Sequence, residues 1–221
     1  MSAAFLFDLD GTLMDSVYQH VLAWRDALEE AGLPLAVWRI HRRIGMSGSL
    51  LVNALARETG RELDAAQLQH VQKLHGERFL RYADQVRPLP GASELMAYLA
   101  EAGVPHAIAT SGYRASAERS LRSLGVRPEV PLITRDQVAR AKPDPDLFLA
   151  AAERLGVAVE NTVVVGDSIW DLLAARRARA LGVGLLSGGY GEEELERAGA
   201  YRVYQDPADL LAHLDEVGVR R

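Results

Sequence analysis

Four short segments of this chain place carboxylate, hydroxyl or lysine side chains where chemistry is possible. The first is Asp8-Leu9-Asp10-Gly11-Thr12, directly after the apolar run Phe5-Leu6-Phe7. On a strand, side chains two apart point the same way, so Asp8 and Asp10 are expected on one side. Gly11 lets the backbone bend around a ligand. Two carboxylates at a strand's end suit a hard cation such as Mg²⁺, and one of them is also able to attack a phosphoryl centre.

The second segment is Ile108-Ala109-Thr110-Ser111-Gly112, small polar groups after another apolar run. Thr110, Ser111 and the neighbouring backbone N–H groups can hold an anion ahead of a helix. Alternatively, Ser111 or Ser116 caps that helix. The third is Ala141-Lys142-Pro143-Asp144-Pro145-Asp146. Here prolines stiffen the chain after a compact cation suited to phosphate or carboxylate; the plainer reading is a surface lysine before a helix capped by Asp144. The fourth is Val163-Val164-Val165-Gly166-Asp167-Ser168-Ile169-Trp170-Asp171. Asp167 offers oxygen for a cation, and Asp171, one helical turn on, can orient it. Otherwise Asp167 is a helix cap followed by a first-turn acid.

What must position these groups is legible in the apolar pattern. Strand candidates run over residues 104–109, 130–133, 162–165, 183–186 and 201–204, with helical patterns at 115–124, 146–155, 169–180 and 192–198. Strand–helix alternation predicts a parallel sheet flanked by helices, an α/β, Rossmann-like doubly wound fold. Uninterrupted runs such as Val163-Val164-Val165 suit burial on both faces. All four segments then fall at strand C-termini, the edge where open α/β sheets bind ligands. Residues 16–87 read otherwise, as helical patterns at 17–31, 35–44, 50–58 and 65–82 with Gly32 and Pro34 ending the first. Pro88-Leu89-Pro90-Gly91 marks a boundary. The expected organisation is a sheet domain of residues 1–15 and 88–221 with a helical domain, 16–87, inserted.

The chain has 221 residues, a hydrophobic fraction of 48% and a net charge of −5, enough for one domain with an insertion. That balance, without a long basic run, argues against nucleic-acid binding. The nearest basic patch, Arg176, Arg177 and Arg179, reads as a solvated helix face. The absence of cysteine removes thiolate nucleophiles, disulfides and cysteine-bound zinc. The apolar start is short and broken by Asp8, unlike a signal peptide, and no apolar run approaches membrane-spanning length. A soluble cytoplasmic protein with no membrane or protein partner is the expectation.

In order and residue type, the four segments resemble the motifs of the haloacid dehalogenase superfamily of phosphohydrolases. Asp15-Ser16 followed by a helical insertion is similar to the branch with a small helical cap, which holds phosphoglycolate phosphatases, sugar-phosphate phosphatases and β-phosphoglucomutases. The resemblance implies an Mg²⁺-dependent phosphatase acting on a small phosphorylated metabolite. Asp8 would be the nucleophile, forming an aspartyl-phosphate, and Asp10 the general acid and base. Asp8, the Asp10 carbonyl and Asp167 would hold Mg²⁺, with Asp171 supporting that shell. Thr110, Ser111, Gly112 and Lys142 would hold the phosphoryl group.

The insertion would cover the site and choose the substrate, through His20, Trp24 and the loop containing Gly45 and Ser47. His20 and Trp24, four apart, share a helix face. Either they meet substrate or Trp24 simply packs within the helices. His20-x-x-Ala-Trp24 resembles the mutase and sugar-phosphatase branch, but the mutase pattern expects an arginine after the loop serine, where this chain has Gly48. The alternatives are therefore a sugar phosphomutase, with Arg42 or Arg43 in place of that arginine, and a non-catalytic phosphometabolite-binding protein.

Overall fold

A computed structural model of the chain describes residues 3–219. They divide into two compact units, one made of the described residues up to Asp15 and from Arg87 on, the other Ser16–Val86.

The first unit is built on six parallel strands: β1 (Ala4–Phe7), β4 (His106–Ala109), β5 (Leu132–Ile133), β6 (Thr162–Gly166), β7 (Leu181–Leu185) and β8 (Ala200–Tyr204). Their order is β5-β4-β1-β6-β7-β8, with Phe7 level with both Ile108 and Val165. β1 is therefore central. The chain first builds outward from it through β4 and β5, then returns to its other side with β6. Such a reversal of direction opens a crevice at the carboxyl ends of the strands. Two residue pairs, β2 (Met14–Asp15) and β3 (Arg87–Pro88), form a separate antiparallel ribbon.

Every residue of β1, β4 and β6 is buried, as expected for strands covered on both faces. On one side Leu6, Ala107 and Val164 pack with Leu147, Phe148 and Ala151 of α7 (Asp146–Leu155) and with Ala174 and Ala175 of α8 (Ile169–Ala178). Each fully buried valine, leucine or phenylalanine side chain contributes roughly 1.5–3 kcal/mol. The other helices of this unit are α5 (Ala92–Glu101), α6 (Arg114–Leu124), α9 (Glu192–Ala198) and α10 (Pro207–Ala212).

The doubly wound reading holds, with shifted ends. The strand expected at 130–133 keeps only its last two residues, and that expected at 183–186 begins at Leu181. Helix α8 stops at Ala178 because Arg179 turns left-handed, φ 64°. Helices α5 and α10 were not anticipated. The first lies just past the Pro-Gly boundary. The second is only six residues long, though its Asp206 cap and N-terminal proline are ordinary start signals.

The second unit contains α1 (Val17–Glu30), α2 (Val37–His41), α3 (Gly48–Glu58) and α4 (Ala65–Phe79), with no strand among its described residues. On α1, Val17, Val21, Trp24 and Leu28 follow helical spacing and enter one core with Ile40, Leu51, Leu55 and Val71. Among the described residues no helix is long and apolar enough to cross a membrane.

Candidate active site

β1 ends at Phe7, so strand alternation does not orient Asp8 and Asp10; both lie on the turn beyond. The Asp8 amide donates to the Val165 carbonyl at 2.9 Å, which ties the start of that turn to β6. Leu13 and Met14 both donate to the Leu9 carbonyl, and Gly11 donates to that of Met14 at 2.7 Å. This tight return needs φ +88° at Gly11, a conformation side-chain-bearing residues resist. Asp8 is 3% exposed, and Asp10 is half-buried at a bridge to Met14.

Across the crevice, β6 delivers Asp167 and starts α8. The cap of α8 is Ser168, not Asp167: Ser168 and Asp171 bond reciprocally, with Ser168 Oγ 2.5 Å from Asp171 Oδ2. A Cβ on Gly166 would stand 2.2 Å from that of Asp171, so only glycine lets the strand pass so close to this acid. Thr12 Oγ1 donates to Asp167 Oδ1 at 2.8 Å. Thr12 thus holds one of the acids, a role that only its hydroxyl next to Gly11 signals in the sequence.

Lys142 is fully buried, which removes the surface-lysine reading. Its Nζ pairs with Asp8 Oδ1 and, at 2.7 Å, with Asp171 Oδ1, and sits 5.2 Å from the centre of the Phe148 ring. Nor does Asp144 cap the next helix. Pro145 holds that position, and Asp144 faces Arg177 at 3.6 Å. Arg177 also donates to the Pro143 carbonyl at 2.9 Å. A residue read as part of a solvated face thus braces the lysine loop, and nothing in residue type or spacing signals it.

Asp8, Asp167 and Asp171 each offer one carboxylate oxygen within 4.8 Å of the others. Burial, followed by repulsion from Asp171 and Asp10, pushes Asp8 up to about 7 despite Lys142. Burial and the charges of Asp171 and Asp8 hold Asp167 well above the usual carboxylate range. For Lys142 burial favours the neutral amine, but Asp171 and Asp8 outweigh it and raise its pKa. Three enclosed acids share one lysine. Hard oxygen donors with an excess of negative charge fit a divalent cation. Asp171 belongs to this group directly and contacts the lysine.

Thr110 follows β4, is 1% exposed, and accepts from the Gly112 amide at 2.9 Å. The Gly112 carbonyl accepts from Arg135 at 3.0 Å. A Cβ on Gly112 would lie 3.8 Å from Asp10 Oδ2, which sets the Thr110–Gly112 turn beside that carboxylate. Helix α6 takes Tyr113 as its N-cap, and Ser116 donates back to the Tyr113 carbonyl at 2.8 Å. Neither serine is the N-cap, and the half-buried Ser111 lies ahead of the helix.

The remaining candidates belong to the helical unit. His20 stacks on Phe79 with ring centres 4.0 Å apart, and its Nδ1 shares a hydrogen bond with His75 Nε2 at 3.2 Å. Trp24, 5% exposed, stacks on His75 at 3.9 Å and belongs to that unit's core. Gly45 has φ +94°, and Ser47, 2% exposed, is the N-cap residue of α3. Arg43 pairs with Glu58 at 2.6 Å.

Residues 3–179 match the family model of haloacid dehalogenase-like hydrolases. Hexitol phosphatase A of Escherichia coli is 35% identical over 74% of this chain and 74% of its own. Phosphoglycolate phosphatase of Neisseria meningitidis is 35% identical over 87% of this chain and 83% of its own. A crystal structure of a hydrolase from Pseudomonas syringae, 51% identical, superposes with a TM-score of 0.96 over 98% of this chain and all of the other.

Proposed function

The chain belongs to the haloacid dehalogenase-like hydrolases, and from that premise we propose that it is an Mg²⁺-dependent phosphatase of small phosphate monoesters, working through an aspartyl-phosphate. The observation that carries this reading is the fully buried Lys142 held between Asp8 and Asp171, with Asp167 alongside, at the carboxyl edge of the sheet. A purely structural ion pair would balance its charges. This group leaves an excess of carboxylate facing one cation.

Asp8 attacks phosphorus, and the bond to the alcohol oxygen breaks. Asp10 gives its proton to the departing alkoxide, whose basicity makes that acid worth about 10²–10⁴-fold. Asp10 then takes a proton from water as the water attacks the acyl phosphate, releasing inorganic phosphate and regenerating Asp8. Splitting one slow displacement into two lowers the barrier of a reaction whose enzymatic acceleration reaches about 10²¹-fold. Thr110, with the backbone of Ser111 and Gly112, holds the phosphoryl oxygens while Lys142 offsets their charge. Asp8, Asp167 and the Asp10 carbonyl would hold Mg²⁺, and the ion supplies positive charge that keeps Asp8 ionised and offsets that of the phosphoryl group.

The phosphosugar and phosphoglycolate classes follow from the family resemblance, and the names of the two relatives, a hexitol phosphatase and a phosphoglycolate phosphatase, support small polyol phosphates and phosphoglycolate as candidates. The test is phosphate release from a panel of phosphorylated sugars and polyols, phosphoglycolate and nucleotides, with Mg²⁺ or with chelator. Mg²⁺-dependent release that is lost in Asp8→Asn is expected. Release by Asp8→Asn at the wild-type rate would overturn the covalent route.

A further inference from the structure

A fifth segment, outside the four, meets two of them. Leu186–Gly188 makes one turn of 3-10 helix directly after β7, and β7 lies beside β6, whose end delivers Asp167. Ser187 Oγ donates to the Gly11 carbonyl at 2.6 Å, 176 residues away. A Cβ built on Gly188 would stand 1.9 Å from Asp167 Oδ2 and 2.6 Å from its Cγ. Gly188 is absent from the positive-φ glycines, which include its neighbour Gly189 at +84°. Backbone conformation therefore does not demand glycine at 188. Room does, because the backbone there lies against the carboxylate.

Asp167 is consequently fixed on both oxygens. Thr12 donates to Oδ1, and the Gly188 backbone bounds Oδ2. The Gly11 carbonyl that Ser187 grips lies in the same turn as Asp8, Asp10 and Thr12, so one short segment braces both halves of the acid group.

We propose that Ser187 and Gly188 are positioning residues of the phosphoryl-transfer site: Ser187 anchors the turn carrying Asp8 and Asp10, and Gly188 is the floor on which the Asp167 carboxylate rests. The proposal rests on the phosphatase reading above. Partners of this outer kind typically change metal affinity or activity by about 10–100-fold when removed.

The test uses the full chain with Gly188→Ala, Ser187→Ala and Ser187→Thr. Gly182→Ala, within β7, serves as control; its Cβ would press on Leu172 at 3.1 Å and the Gly199 carbonyl at 3.2 Å. Mg²⁺ alone is titrated calorimetrically, thermal unfolding is followed with chelator, and kcat and KM are measured on a substrate found by the panel. Gly188→Ala should weaken Mg²⁺ binding by about 10–100-fold and Ser187→Ala should lower kcat about 10-fold at unchanged KM, with Ser187→Thr restoring most of it. Gly182→Ala should melt earlier while keeping its Mg²⁺ affinity and kcat.

Wild-type affinity and kcat in both Gly188→Ala and Ser187→Ala would overturn the proposal. So would losses that track melting temperature across all variants including Gly182→Ala, or a wild-type chain that takes up no Mg²⁺. If Gly188→Ala does not fold, Ser187→Ala and its threonine rescue decide. A wild-type chain that binds Mg²⁺ but hydrolyses nothing would instead overturn the phosphatase reading, with the calorimetric arm still judging Gly188.

Discussion

The two units treat acidic side chains in opposite ways. In the helical unit the half-buried Asp26 and the exposed Glu58 and Glu30 are each matched by arginine. Arg25 holds Asp26 at 2.6 Å, Arg39 and Arg43 both hold Glu58, and Arg78 holds Glu30. There Asp26 is lowered: burial opposes ionisation, and the bonds from Arg25 and Tyr82 outweigh it. Glu58 is lowered chiefly by its bond from Arg39. In the α/β unit three acids surround one lysine, and burial raises both Asp8 and Asp167. Matched pairs stabilise a fold without needing anything else. An unmatched, enclosed set is stable only at a cost, and that cost falls when a cation arrives. Charge imbalance under burial, rather than the presence of acids, is what distinguishes the site.

The largest effects should come from breaking the imbalance at its centre. Asp8→Asn removes the nucleophile, and phosphate release is expected to fall by about 10⁴-fold or more. The metal-free protein should nevertheless melt at or above the wild-type temperature, since one crowding carboxylate is gone. A melting temperature well below wild type would mean that Asp8 is a structural partner of Lys142 and would erase the contrast between the units. Lys142→Met does the reverse. It leaves three enclosed acids without compensation and should cost about 3–5 kcal/mol in chelator, read by denaturant unfolding. Added Mg²⁺ should recover part of that loss.

What the sequence disclosed follows the same division. Asp8 and Asp167 were legible because carboxylates stood directly after apolar runs, Asp171 because it follows one helical turn on, and Lys142 because it precedes the proline-stiffened start of a helical pattern. The alternative reading of Asp167 as the cap of α8 falls because the adjacent Ser168, a residue type that caps equally well, takes that position. Arg177 and Ser187 were not legible. Their partners, the Pro143 and Gly11 carbonyls, are backbone atoms that no residue type announces. Nothing in the sequence marks Gly188, because its requirement is set by a carboxylate from another strand. In the helical unit the pattern at 17–31 announced α1, on which Val17, Val21, Trp24 and Leu28 are buried. It could not reveal that His20 and His75 would meet, which depends on how α1 and α4 cross.

Acidity offers a finer test, because the two regions respond to pH with opposite sign. Asp8 lies near 7 in the folded chain against 3.8 for the free side chain. Between those values the folded state binds more protons than the unfolded one. Its contribution is therefore fully present below about pH 4 and declines as pH rises through 7. Asp167 acts in the same direction. Asp26 and Glu58, both lowered, contribute above their free values and lose that contribution as pH falls through their depressed ones. In chelator, unfolding between pH 5 and 8 should thus show stability declining with pH. Saturating Mg²⁺ should abolish the decline by making ionised Asp8 and Asp167 the favoured forms. A decline equally steep with and without Mg²⁺ would place its source outside the acid group.

The smallest effect belongs to the matched side. Tyr82 Oη donates to Asp26 Oδ2 at 3.1 Å, adding to the Arg25 pair. Tyr82→Phe removes that one bond and leaves the ring in place. Asp26 keeps its guanidinium, so the expected loss is about 0.5–1.5 kcal/mol, measured by denaturant midpoint. Mg²⁺ affinity and kcat should stay at wild-type values, because nothing in this pair awaits a ligand. A change in kcat beyond twofold at unchanged stability would show that the Asp26 cluster feeds the reaction. Charge matching would then no longer separate the part of this molecule that folds from the part that reacts.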